Sequence, residues 1–336
     1  LGDGQFYLQD MFGGVMININ MKNTSSSSFE INFTQMKIIH INSEMIELGV
    51  DYFADWNIVG LAVESDETFY ESLFPNSMPG TLFEFDGTYL SVDNLELGKG
   101  YLLRFNDAGM VTFSGYPITE LTVSLLENWN LITGLSVSLP VENINDPDGI
   151  ILPGTIYGLT GTYVSADTLH PGKGYWVRAS ESGDITLTSG ALTRQAPFVN
   201  RTVEANLLTF SHNGYSIDLY FGKKISEDEW LSFSLPPVFP GMVFDARFSG
   251  NMKYAVDSGE IEVLNHSETL TIEYDIKVGV GENMNWVLES NNGKDYILEG
   301  TGEITVPSAE RFILNRKPII PITFTLHQNF PNPFNP

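Results

Sequence analysis

The chain has 336 residues, 42% apolar and 12% aromatic, and a formal net charge of −25 from 42 acidic against 17 basic side chains. That excess of carboxylate excludes nucleic acid and anionic membrane as partners, because both need Lys and Arg to neutralise phosphate. There is no Cys, so no thiol nucleophile exists, and the length allows roughly two to four domains, each able to bury a core without disulfides.

Phe, Tyr and Gly are abundant, and no long helical period is present. The expected fold class is all-β, with tandem β-repeat modules followed by an antiparallel β-sandwich domain. No apolar stretch is long enough to span a membrane, so no transmembrane segment is expected. The start at Leu1 rather than Met reads as a processed or partial chain, and leader removal upstream of it fits export.

In chain order, residues 1–50 come first. FGGVMININM (Phe12 to Met21) and FEINFTQMKIIHI (Phe29 to Ile41) read as two strands joined by NTSSSS. They are too few for a domain, so they complete a neighbouring one or belong to one cut upstream. An orphan strand pair also seeks a partner on another molecule.

Two copies of one unit follow, expected as modules over 51–122 and 123–194. The first runs WNIVGLAV (Trp56 to Val63) and then PGTLFEFDGTYLSVDNLELGKGYLLR (Pro79 to Arg104). The second runs WNLITGLSV (Trp129 to Val137) and then PGTIYGLTGTYVSADTLHPGKGYWVR (Pro153 to Arg178). Spacing is constant through the long block and slips by one near the Trp, a strong repeat signal. The shared glycines read as tight turns with positive φ, and Lys99 and Lys173 as turn residues rather than phosphate ligands. Trp56 and Trp129 recur in place, which favours a core role. Trp176 matches Leu102, an apolar packing slot. The unit resembles the WN…GKGYW repeats of secreted, multi-domain bacterial surface proteins, modules from which no catalytic role carries over.

From 198 to 316 the pattern is that of a β-sandwich. GYSIDLYFG (Gly214 to Gly222) is strand-like. Met242, Phe244, Ala246 and Phe248 alternate with polar Asp245 and Arg247, and Leu270 to Val278 alternate in strict period two. Asn292-Gly293 marks a hairpin turn. SLPPVFPG (Ser234 to Gly241) reads as a rigid connection, and Glu227 to Leu231 as one short helical turn. This region resembles the β-domain that often precedes the signal described next.

Residues 317–336 hold an alternating strand, Ile322 to Leu326, and then QNFPNPFNP: Gln328, Asn329, Phe330, Pro331, Asn332, Pro333, Phe334, Asn335 and Pro336. This run resembles the entry, typically QNYPNPFNP, to the C-terminal sorting domain of type IX (Por) secretion substrates. The resemblance implies the secretion machinery as a partner and a secreted location, extracellular or attached to the outer cell surface. It implies no chemistry.

Chemical motifs are sparse. His40, His170, His212, His266 and His327 make no HxxH or HExxH spacing, and there is no GxSxG elbow or GxxxxGK[ST] loop. Asn145, Asp146 and Asp148 in NINDPDG place oxygen ligands at close spacing and are a calcium-binding candidate without the distal Glu, against the plain reading as an Asp/Asn turn. Glu227, Asp228 and Glu229 read as a solvated turn. Trp176 and Trp230 are the candidates for stacking on glycan rings. No enzyme activity is expected. Two readings stay open: a structural or adhesive surface protein whose partners are other extracellular subunits or copies of itself, and a carbohydrate-binding accessory region of a larger secreted glycan-degrading enzyme.

Overall fold

A computed structural model describes residues 5–10, 18–21, 36–41, 44–190, 201–265, 268–277 and 284–318. It is almost entirely β, in discrete, nearly all antiparallel sheets, and its α-helices, Tyr70–Leu73 and Glu227–Trp230, have four residues each. No helix among the described residues is long and apolar enough to cross a membrane. The strand expected at Ile322 to Leu326 and the motif Gln328 to Pro336 lie outside the described residues. The chain divides into two compact units, Leu1–Val199 with Val238–Met242, and Asn200–Pro237 with Val243–Pro336.

In the first unit, β1 (Gln5–Asp10), β2 (Asn18–Asn20) and β3 (Met36–Ile41) form a separate sheet in the order β2-β1-β3. The strand at Gln5–Asp10 differs from the expectation, which placed the first strand at Phe12 to Met21. Of that stretch only the end is a described strand.

The first sequence copy forms β4 (Ile46–Tyr52), β5 (Asp55–Val59), β6 (Phe83–Phe85), β7 (Tyr89–Ser91), β8 (Tyr101–Phe105) and β9 (Gly109–Gly115). The second forms β10 (Glu120–Leu125), β11 (Asn128–Thr133), β12 (Leu139–Pro140), β13 (Tyr157–Leu159), β14 (Tyr163–Ser165), β15 (Thr168–Leu169), β16 (Gly174–Ala179) and β17 (Gly183–Thr188). Both copies pair alike: β4-β9 and β5-β8-β6-β7 in the first, β10-β17 and β11-β16-β13-β14 in the second. Phe83 faces Leu102 as Tyr157 faces Trp176. Each copy has its own buried cluster, around Tyr101, Leu103 and Phe113 in one and Tyr175, Val177 and Ile185 in the other.

The recurring WN dipeptide is explained by its Asn. The chain turns from β4 into β5 through Asp55 at φ 71°, and from β10 into β11 through Asn128 at φ 78°, a region that short polar side chains tolerate. Asn57 closes the first corner: its Oδ1 accepts from Phe53 N–H at 2.9 Å, and its Nδ2 donates to the Phe53 and Asp55 carbonyls at 2.9 and 3.1 Å. Asn130 does the same with Leu126 and Asn128, at 2.9, 2.8 and 3.0 Å. Trp56 and Trp129 are half-buried and lie outside the buried clusters. The Trp129 indole instead packs on Tyr157, Trp176 and the Arg178 guanidinium.

The GKG turns join the copies reciprocally. Gly98–Lys99–Gly100 of the first copy lies along β11: Gly100 N–H donates to Leu131 O at 3.0 Å and Thr133 N–H to Gly98 O at 3.1 Å. Gly172–Lys173–Gly174 of the second lies along β5, with Gly60 N–H donating to Gly172 O at 3.1 Å. Each copy thus covers the outer edge of the other's sheet. The glycines serve two purposes. Gly98 and Gly172 have φ of 83° and 68°. Gly100 and Gly174 are needed for close approach: a Cβ on Gly100 would sit 2.7 Å from Ile132 O, and one on Gly174 2.3 Å from Ile58 Cγ2. Gly100→Ala and Gly174→Ala are therefore each expected to cost about 1–3 kcal/mol by overpacking, read as a lowered urea midpoint. Gly80→Ala, at a site with no neighbour within 4 Å, is the control that bears only backbone strain.

The second unit has two five-stranded sheets around one core. Its strands are β18 (Asn206–His212), β19 (Tyr215–Phe221), β20 (Phe244–Phe248), β21 (Tyr254–Ala255), β22 (Gly259–Asn265), β23 (Thr269–Asp275), β24 (Met284–Ser290), β25 (Asp295–Leu298), β26 (Thr301–Pro307) and β27 (Arg311–Pro318). The sheet orders are β21-β19-β18-β23-β26 and β20-β22-β27-β24-β25, with β19-β21 the parallel pair. Asn213 and Gly214, both at positive φ, make the two-residue turn between β18 and β19. Phe210, Phe221, Phe244, Trp286 and Phe312 are buried together. The alternation across β20 suggested a half-exposed strand, yet all five residues are buried. Arg247 donates through Nε to the Asp245 carboxylate, and through Nη1 to Pro236 O and Asn251 Oδ1, each at 2.8 Å. With these partners the polar stripe of β20 becomes a buried ion pair.

Candidate functional site

Trp176 was read both as an apolar packing slot matching Leu102 and as a candidate for stacking on glycan, and its burial fits the first of these. As a glycan platform it needs an open ring face, and it has none: its accessibility is 0%. Phe85 packs edge-on at 4.8 Å and Trp129 at 6.1 Å. Tyr89 and Tyr163, equivalent residues of the two copies, both stand 6.5 Å away at 85° and 89°. Trp176 sits where the two copies meet, and aromatic edge-to-face contacts of this kind add to plain burial. The other stacking candidate, Trp230, is half-buried against the core of the second unit at the end of its four-residue helix.

The NINDPDG loop is built around Asp146. Its Oδ1 accepts from Ile150 N–H and its Oδ2 from Ile151 N–H, both at 2.9 Å, so both oxygens fold the loop back on itself. Asn145 is tied by its backbone to Thr186 in both directions at 2.9 Å, and Asp148 is exposed. Among the described residues, no group of three His, Asp or Glu is gathered to hold a metal ion.

What the structure adds is a pair of grooves at the seam between the copies, built from equivalent parts. One, of about 390 Å³, lies between Glu84, Asp86 and Lys99 of the first copy and Thr122, Leu126 and Asn130 of the second. The other, of about 300 Å³, lies between Thr160, Ser165 and Lys173 of the second copy and Phe53 and Asn57 of the first. Both volumes fall at the lower end of the range for small-ligand sites. The corner residue at each mouth is apolar and exposed, Phe53 at 55% and Leu126 at 60%. The grooves follow from the reciprocal GKG insertion, since each is walled by one copy's turn and the other's corner. The repeat carried the parts in plain view, but no local pattern pairs Lys173 with Phe53.

The tyrosine after each GKG fixes the turn that carries the lysine. Glu96 N–H donates to the Tyr101 hydroxyl at 2.9 Å, and His170 N–H to the Tyr175 hydroxyl at 2.8 Å. Burial pushes the Tyr101 phenol up to about 12 and raises that of Tyr175 as well, so both stay protonated at neutral pH. His170 lines the second groove, with Nδ1 3.0 Å from Ser138 Oγ. No family model matches this chain, and no curated protein or solved structure is significantly similar to it.

Proposed function

We propose that this chain is a secreted, non-enzymatic structural or adhesive component of the outer cell surface, built of tandem β-repeat modules followed by a β-sandwich. In this reading it works by associating with copies of itself or with other extracellular subunits, and leaves the cell through the machinery that reads Gln328 to Pro336. The observation that carries the reading is how the recurring residues are used. The Asn of each WN closes a corner, the glycines of each GKG admit the other copy's strand, and the following Tyr caps the turn. The repeat's distinctive chemistry goes into building a scaffold. The N-terminal strands, a three-stranded sheet of their own, are the proposed connector. Light scattering on the purified chain over rising concentration tests this. Assembly that is lost on deleting Leu1 to Ile41 is the expected result, and a strict monomer at high concentration contradicts it.

A second reading, a carbohydrate-binding accessory region, is favoured by one observation. The exposed Phe53 ring stands at the mouth of a groove lined by Thr160, Ser165 and Thr168, an apolar face beside residues able to hydrogen-bond, as a sugar ring requires.

A further inference from the structure

The two seam grooves hold equivalent lysines in opposite settings. Lys99 Nζ lies 2.9 Å from Glu96 and 3.8 Å from Glu84. The hydrogen bond to Glu96, with the charges of Glu96, Glu84 and Asp86, outweighs desolvation and holds its pKa above the usual lysine value. Lys173 Nζ donates instead to the backbone carbonyl of Asp51 and lies 5.6 Å from the centre of the Phe53 ring. A carbonyl oxygen and an aromatic face each favour an ammonium, but less than the full charge of a carboxylate does. Burial lowers the Lys173 pKa, with the Asp51 carboxylate opposing. The other charged or titratable groups of this groove are Asp167, His170 and Tyr175.

The geometry points to Lys173 as a carbonyl-reactive amine whose groove takes the open-chain aldehyde of a reducing sugar. The choice of sugar rests on the second reading above; the reactivity of the amine does not. With one N–H engaged by Asp51 O, the Nζ lone pair of the neutral amine is available to the groove. It attacks the aldehyde carbon to form a carbinolamine. Both amine protons then leave with the carbonyl oxygen as water, and the C=N bond of an imine remains, with no oxidant or reductant required. Thr160, Ser165 and Thr168 line the groove as partners for the hydroxyls of the sugar, and the exposed Phe53 ring is the surface for its carbon face. Lys99 has the same place in the fold but carboxylate partners, so it stays protonated and serves as an internal reference.

The test incubates the full chain with glyceraldehyde, and separately with glucose, at neutral pH in the presence of cyanoborohydride, and maps trapped lysines by peptide mass spectrometry. Lys173 is expected to be trapped severalfold faster than Lys99, which is held as an ammonium by Glu96 and Glu84. Phe53→Ala is expected to slow Lys173 with both sugars and leave Lys99 unchanged. Equal trapping at Lys99 and Lys173 overturns the inference. So does trapping at Lys253, an amine that burial lowers to about 8, at a rate matching Lys173, because the groove would then add nothing to basicity. Methyl glucoside, which has no aldehyde, separates the two layers. Protection of Lys173 by it supports sugar occupancy. Fast trapping without protection supports the reactive amine and overturns the sugar class.

Discussion

Trp176→Ala is expected to lower the stability of the first unit by about 3–5 kcal/mol, the cost of emptying a buried aromatic site. The ring has no accessible surface, and its neighbours come from both copies, Phe85 and Tyr89 from the first and Trp129 and Tyr163 from the second. No small movement of one sheet can fill the void, because the surrounding rings stand on different sheets. Trp176→Leu, which installs the residue found at Leu102, is expected to lose less. Urea unfolding followed by far-UV circular dichroism measures both. A loss below about 1 kcal/mol for the Ala variant would show that the site collapses freely and is not where the copies are held.

In the second unit, Arg247→Ala is expected to cost about 3–5 kcal/mol, because it strands the Asp245 carboxylate in a buried site. The side chains of this pair are 2% and 5% exposed, so water does not screen the loss. The guanidinium also holds Pro236 O and Asn251 Oδ1. The contribution of the unpaired charge can be separated. Adding Asp245→Leu to Arg247→Met removes both ions and is expected to recover much of the stability. If the double variant is as unstable as Arg247→Ala, the lost hydrogen bonds to Pro236 O and Asn251 Oδ1, and not the stranded charge, set the cost.

Much of this architecture is legible in the sequence, and the parts that are not have a common cause. The repeat was legible because both copies use the same residue at each special backbone position, such as Gly87 between β6 and β7 and Gly161 between β13 and β14, at φ of 73° and 87°. Period-two alternation located β23, and Asn292-Gly293 located the turn between β24 and β25. The reciprocal insertion was not legible. It pairs Lys99 with Ile132 and Val59 with Lys173, contacts that leave no local periodicity, so Gly100 and Gly174 looked like ordinary turn residues. The burial of Asp245 and Arg247 was not legible either, because alternation reports two faces and not what lies over them. The match to Leu102 pointed to packing at Trp176, but what it packs on was not legible, because burial of the second face of β16 depends on the other copy. The seam grooves were hidden for the same reason, since Phe53 and Lys173 belong to different copies.

The central claim is that the two copies fold as one interlocked body, and the direct measurement is the unfolding of one copy produced alone. Residues 44–118 would carry Gly98 to Gly100 without β11 to lie along, and β5 without the turn that covers its edge. Compared with residues 44–190, the single copy is expected to show no cooperative urea transition. A cooperative transition at the same midpoint as the tandem protein would contradict the claim, because each copy would then be stable without the other.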